Sequence, residues 1–252
     1  MSNLIKRVIS AIVLGAIAIL GVLYLNKIIF FIIVSIVSAL AGWEIANLIS
    51  KKIGNINSIF FSFIAFISSL SLFFISPFLS ILIIFIYGFY IANKYWNIDL
   101  LAYITFGLVY SSFFISSLGF LFEIDRYILF ILFATVWAGD SLAYFIGKNF
   151  GKHKLAPKLS PKKTIEGAIG STVGSLFFGG LTAYYFNHLE AIIPIFIGAI
   201  LMQIGDLFES FIKRQVGVKD SSNIIPGHGG ILDRIDGLIF ASVTFLIFYQ
   251  IY

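Results

Sequence analysis

The chain has 252 residues, of which 60% are hydrophobic and only 12% charged, with a formal net charge of +5. Soluble domains carry about 25% charged residues, so a water-soluble globule is excluded and a bilayer is the expected solvent. The lack of cysteine excludes disulfides, thiol catalysis and a zinc–thiolate centre.

Apolar runs of spanning length, about 20 residues each, are expected in chain order at about 8–25, 28–49, 58–76, 78–93, 99–121, 127–147, 165–186, 191–212 and 234–252. The first follows Lys6 and Arg7 as a signal peptide would. Its length, and the second run close behind it, predict an uncleaved helix instead. The third and fourth are parted only by Ser76–Pro77 and read either as two helices or as one kinked or re-entrant unit. The expected fold class is therefore all-α, a polytopic integral membrane protein of about nine transmembrane helices with a cytoplasmic N-terminus. That topology puts all but Lys27 and Arg126 of the 17 Lys and Arg residues on the inner side, as the positive-inside rule requires. An eight-span count would place the two richest basic segments opposite the basic N-terminus.

The halves differ. Residues 1–126 read as a scaffold of apolar helices with one intramembrane acid, Glu44. Residues 127–252 hold most of the polar residues within spans and two long loops, 148–164 and 213–233, both expected on the cytoplasmic side. If the chain does chemistry, the second half is its expected seat.

An ionisable residue inside a spanning helix costs about 3 kcal/mol on insertion scales and marks a function or a buried pair. Asp140, Tyr144 and Lys148 recur at i, i+4 and i+8 and share one helical face. A contact that only locks helices together is the competing reading. Gln203, Asp206, Ser210 and Lys213 form a second stripe, with Glu209 beside it. Asp233 and Asp236 open the ninth span three residues apart. Two carboxylates converging on one face repel unless a cation or proton intervenes, and paired hard oxygen ligands suit Mg2+ bridging to phosphates. An ordinary acidic helix start is the alternative. The expected metal ligands are Asp206, Asp233 and Asp236.

The loops read as anion receptors. Ser160–Pro161 fits a helix start, which would set Lys162 and Lys163 at a helix N-terminus, beside Glu166. Lys152, Lys154 and Lys158 fit a basic loop that sets topology. The small residues Gly167, Gly170 and Gly174 predict close helix packing. In the second loop His228 lies in a glycine run with Gly229 and Gly230, where it is a turn residue, a phosphate donor or a proton shuttle. With Lys213, Arg214, Lys219, Asp220 and Arg234 the set looks like a receptor for phosphates and a metal.

The run Ser210-x-Ile212-Lys213-Arg214-x4-Lys219-Asp220-x-Ser222-x2-Ile225-Pro226-x-His228-Gly229-Gly230-Ile231-x-Asp233-Arg234-Ile235-Asp236 resembles the signature of the CDP-diacylglycerol synthases, also called phosphatidate cytidylyltransferases. The upstream GDSLAYFIGKNFGKHKL and SPKKTIEG resemble that family too, over roughly 135–240. The N-terminal half is similar in hydropathy alone. The resemblance implies a membrane nucleotidyltransferase of the cell (inner) membrane, with its active site facing the cytoplasm. It would join CTP to phosphatidic acid, giving CDP-diacylglycerol and pyrophosphate for phospholipid biosynthesis. It also implies Mg2+, with a second cation as an option, and a homodimer; nucleic acid is not an expected partner. On this reading Asp206, Asp233, Asp236, Lys219, Asp220 and His228 are the catalytic candidates. Lys162, Lys163, Lys213, Arg214, Arg234, Ser210, Gly229 and Gly230 are the phosphate-binding candidates, with Asp140, Tyr144 and Glu166 in supporting positions. Two rivals stay open: a CTP-dependent polyprenol kinase, and an ion- or proton-coupled transporter using Asp140, Asp206 and Glu44 as a relay.

Overall fold

Side-chain acceptors just ahead of most of the apolar runs decide where those helices begin, because they satisfy N–H groups that have no partner inside the helix. The computed structural model describes residues 3–54, 56–225 and 229–251. Helix α1 spans Asn3–Tyr24, and α2 (Lys27–Ile53) starts where Asn26 accepts from Ile29 N–H at 2.9 Å. Helix α3 (Ser58–Phe74) starts where Asn57 accepts from Phe60 N–H at 3.0 Å. Ser76 does the same for Phe78 N–H at 3.2 Å, with Pro77 opening α4 (Pro77–Tyr95). The Ser76–Pro77 break is thus a stop and a fresh start, and 58–95 forms two helices. Asn97 caps α5 (Ile98–Ile124), and Asp125 caps α6 (Arg126–Phe150). Helix α7 covers 165–185, α8 spans Ile192–Gln215 and α9 spans Leu232–Ile251. Five-residue π turns interrupt α5 at Tyr110–Phe114 and α7 at Ser175–Gly179.

Among the described residues, six helical segments are long and apolar enough to cross a membrane: α2, α4, α5, α6, Leu189–Gln215 with α8 inside it, and α9. Ser10–Tyr24 and Ser58–Phe74 are shorter apolar helices. The chain is an all-α polytopic membrane protein, and its helix ends lie within a few residues of the expected ones.

One local expectation is corrected. Ser160–Pro161 does not start a helix. Strands β1 (Lys154–Ala156) and β2 (Ser160–Thr164) pair antiparallel, Lys154 opposite Thr164 and Ala156 opposite Ser160. The helix begins four residues later because Thr164, not Ser160, is the cap: its hydroxyl accepts from Gly167 N–H at 3.1 Å. Lys162 and Lys163 therefore sit on a strand.

The chain divides into two units, residues 1–120 with 215–233, and residues 121–214 with 234–252. In the first, Phe61, Ile104 and Leu108 are fully buried, and Phe31 stacks on Phe73 with centroids 4.2 Å apart. A hydroxyl ladder joins α2, α3 and α5: Ser35 to Ser69 at 3.0 Å, and Ser69 to Ser116 at 2.8 Å. In the second, small residues let α6 and α7 approach closely, as expected of that face. A Cβ at Gly167 would lie 2.9 Å from the Ala143 carbonyl oxygen, and one at Gly174 would lie 3.1 Å from that of Ala138. Ser175 at the π turn of α7 donates to the Thr135 carbonyl at 2.8 Å. Gln203 spends its amide on α7, reaching Ala168 O and Thr172 Oγ1 at 3.3 Å each, so it serves packing.

Candidate active site

Two polar clusters stand out against the hydrocarbon, one in each unit. In the second unit Asp206, in the C-terminal half of α8, forms an ion pair with Lys163 of β2; their side chains are 39% and 25% exposed. Less than a turn further, Glu209 is completely buried and pairs with Lys213 at 3.3 Å. Asp236, in the second turn of α9, accepts from Gly237 N–H at 2.7 Å and lies within electrostatic reach of Glu209, Asp206 and Lys213. Asp140 of α6 lies in Coulombic reach of Asp206, Asp236, Lys163 and Arg234. Four acids thus share three bases. A low-dielectric cluster with excess carboxylate calls for a proton or a cation.

The first unit holds the glycine loop. Asp233, in the first turn of α9, turns Oδ2 toward the loop and accepts from Ser221 N–H and Ser221 Oγ at 2.9 Å each and from Gly230 N–H at 2.7 Å. Ile225 N–H donates to the Gly229 carbonyl at 2.8 Å, closing the loop on itself. Gly229 has φ +87°, and a Cβ there would lie 2.6 Å from Asp233 Oδ2. Only glycine fits. Glu44 of α2, completely buried, accepts from Ser222, Ile231 and Leu232, and competes with Asp233 for the single hydroxyl proton of Ser221.

The remaining expected site residues are distributed as follows. Lys162, Arg214, Lys219, Asp220 and Arg234 are exposed, whereas Ser210 and Lys213 are buried. Tyr144 is exposed, with the Lys148 ammonium 5.7 Å from its ring centre. Glu166 clasps the hairpin, accepting from Lys152 N–H at 3.1 Å and meeting His153 Nδ1 at 2.7 Å. His228 lies outside the described residues. Three participants escaped the sequence reading: Glu209 as the buried partner of Lys213, His153 as the partner of Glu166, and Glu44 as the anchor of the loop. For Glu44 the signal was present, a lone acid in an apolar helix. Its partners lie 177 to 188 residues away, which no local pattern reveals.

For Mg2+, the donor chemistry fits. Asp206 and Asp236 are hard carboxylates near one another in the second unit. Among the described residues no three acidic or histidine side chains form a ready-made cage. Mg2+ does not require one, since it is commonly held by one or two carboxylates, waters and substrate phosphates. Asp233 Oδ2 is committed to the loop.

Carboxylates beside lysines at the ends of apolar helices suit chemistry on phosphates at a membrane surface. The model of the cytidylyltransferase family matches residues 5–252. The chain belongs to that family. The chain is 45% identical over 157 residues to the phosphatidate cytidylyltransferase of Aquifex aeolicus, covering 62% of this chain and 60% of the relative. It is 44% identical over 131 residues to that of Haemophilus influenzae, covering 49% and 46%. With that of Thermotoga maritima it shares 41% over 128 residues, covering 47% of each. The matched part thus spans about half to three-fifths of these relatives.

Proposed function

We propose that this chain acts as a phosphatidate cytidylyltransferase, transferring the cytidylyl group of CTP to phosphatidic acid and releasing pyrophosphate. The observation that carries the reading is the cluster of Asp140, Asp206, Glu209 and Asp236 with Lys163, Lys213 and Arg234. The named relatives support it. A phosphate oxygen of phosphatidic acid attacks the α-phosphorus of CTP, the new P–O bond forms, the bond to the β-phosphate oxygen breaks, and pyrophosphate leaves with the electron pair. Both reactants are anionic, so the protein's task is to neutralise charge and hold the groups in line. Lys163, freed from Asp206 on substrate entry, together with the exposed Arg234, supplies positive charge to the phosphates. Lys213 is buried against Glu209 and holds that carboxylate in place. In the loop, Lys219, Asp220, His228, Gly229 and Gly230 are assigned to substrate phosphates, as are Lys162, Arg214 and Ser210. A divalent ion held by Asp206 and Asp236 would add charge neutralisation at the reacting phosphates.

In the same reading the chain crosses the inner membrane nine times from a cytoplasmic N-terminus, with 148–164 and 213–233 facing the cytoplasm, and works as a homodimer. The positive-inside distribution supports the orientation. The test incubates membranes carrying the protein with labelled CTP and phosphatidic acid, with and without Mg2+. CDP-diacylglycerol and pyrophosphate are the expected products. CDP with a phosphorylated lipid, or no CTP-dependent lipid product at all, sinks the proposal.

A further inference from the structure

We propose that Glu44 is a positioning residue for the glycine loop: from α2 it fixes the entry of α9 and so the orientation of Asp233. The inference rests on the phosphatidate cytidylyltransferase reading only for its effect on turnover; the geometric part stands alone. Helix α9 lacks an ordinary local cap, because Gly229, Gly230 and Ile231 precede it and none carries a side-chain acceptor. Glu44 supplies the missing acceptors. Its Oε1 accepts from Ile231 N–H at 2.9 Å and Ser222 Oγ at 2.6 Å. Its Oε2 accepts from Leu232 N–H at 2.9 Å and meets Ser221 Oγ at 3.0 Å.

An ionised carboxylate has about four lone-pair sites; three donors meet Glu44 alone, the Ile231 and Leu232 N–H groups and the Ser222 hydroxyl, and the single Ser221 hydroxyl proton is shared between Glu44 and Asp233 Oδ2. That count separates positioning from the other roles of a membrane acid. A metal ligand or a relay needs a site left for its ligand or proton, and Glu44 is completely buried, its partners among the described residues all coming from 221–232. The link onward to Asp233 runs through Ser221, whose hydroxyl lies within bonding distance of both carboxylates and whose N–H donates to Asp233 Oδ2. Gly230 completes the arrangement. Its N–H donates to the same Asp233 oxygen, and its missing side chain leaves the space that the Ser221 hydroxyl and the Glu44 carboxylate share. Through this path α2 sets which way Asp233 points.

The test pairs Glu44→Gln with Ser222→Ala and the double variant, in detergent micelles. Glutamine turns two donors toward a loop that offers only donors, so at least part of the anchor must open. The amides of Ile231 and Leu232 are expected to exchange hydrogen about tenfold faster or more in Glu44→Gln, while those of Ile104 and Leu108 in α5 keep wild-type protection. CTP-dependent kcat/KM is expected to fall about 10- to 100-fold, the usual effect of losing a supporting partner behind a site. The KM for phosphatidic acid should stay within about twofold. Ser222→Ala should add little to Glu44→Gln, since both break one contact. Wild-type exchange at Ile231 and Leu232 overturns the proposal. Uniformly faster exchange across all helices, or local opening with unchanged CTP kinetics, overturns it equally by making Glu44 a purely structural residue. If the wild type shows no CTP-dependent turnover, the functional reading fails, and the exchange data alone decide whether Glu44 holds the loop.

Discussion

Replacing Gly230 with alanine should unfold the loop anchor by an amount that the distances define. A Cβ at Gly230 would collide first with Ser221 Oγ, and would lie 2.5 Å from Glu44 Oε1 and 2.7 Å from its Cδ, against 3.4 Å or more in ordinary contact. Glu44 must therefore retreat by nearly 1 Å, and Oε1 is the oxygen that holds Ser222 Oγ and Ile231 N–H. A hydrogen bond to a charged group contributes about 1.5–3 kcal/mol, and overpacking alone costs about 1–3 kcal/mol. Losing one bond while straining the other gives about 3 kcal/mol, a large share of a typical stability of about 5–15 kcal/mol. Gly217→Ala is the control. Gly217 has φ +70° with nothing within 4 Å of the added atom, so it bears only left-handed strain of about 1–2 kcal/mol. Unfolding by SDS in mixed micelles, followed by tryptophan fluorescence, reads both. A loss for Gly230→Ala no greater than that for Gly217→Ala would refute the reasoning.

Three further outcomes are expected. Asp206→Asn and Lys163→Gln break a pair more than a third exposed on one side, so each should change stability by no more than about 1 kcal/mol. CTP turnover should nevertheless fall at least about 100-fold in both; wild-type turnover would remove this pair from the site. Lys213→Met leaves the completely buried Glu209 without its counter-ion and should cost about 3–5 kcal/mol in the same unfolding titration. Thr164→Ala removes the hydroxyl that caps α7 and should cost about 1 kcal/mol, with faster exchange confined to the Gly167 amide and its neighbours.

Helix positions were legible because membrane spans announce themselves by length and hydropathy, and because Asn57, Ser76–Pro77, Asn97 and Asp125 mark the starts. The hairpin 154–164 was not legible. Its strands are short and rich in lysine and proline, with no apolar alternation, and Glu166 clasps the His153 end. Ser160 and Thr164 both satisfy the local rule for a cap, and Thr164 wins because the apolar run of α7 begins directly after it. In the candidate site, Asp206, Asp236 and Asp140 were readable from charge inside apolar helices, and the structure brings them within electrostatic reach. The loop anchor was hidden for a different reason. A carboxylate can be seen in a sequence, but the donors that define its task are contributed by a distant segment and become visible only on folding.

The serine ladder of the first unit has a bearing on the bilayers this protein can tolerate. Ser35, Ser69 and Ser116 tie α2, α3 and α5 together through hydroxyls that carry no net charge. Their strength is indifferent to ionic strength and to the headgroup charge of surrounding lipid, whereas partly exposed pairs such as Lys163–Asp206 are screened by both. The helix packing of the first unit can therefore stay constant as an anionic lipid accumulates or is consumed around it. Changes in surface potential are left to act on the charged pairs of the second unit.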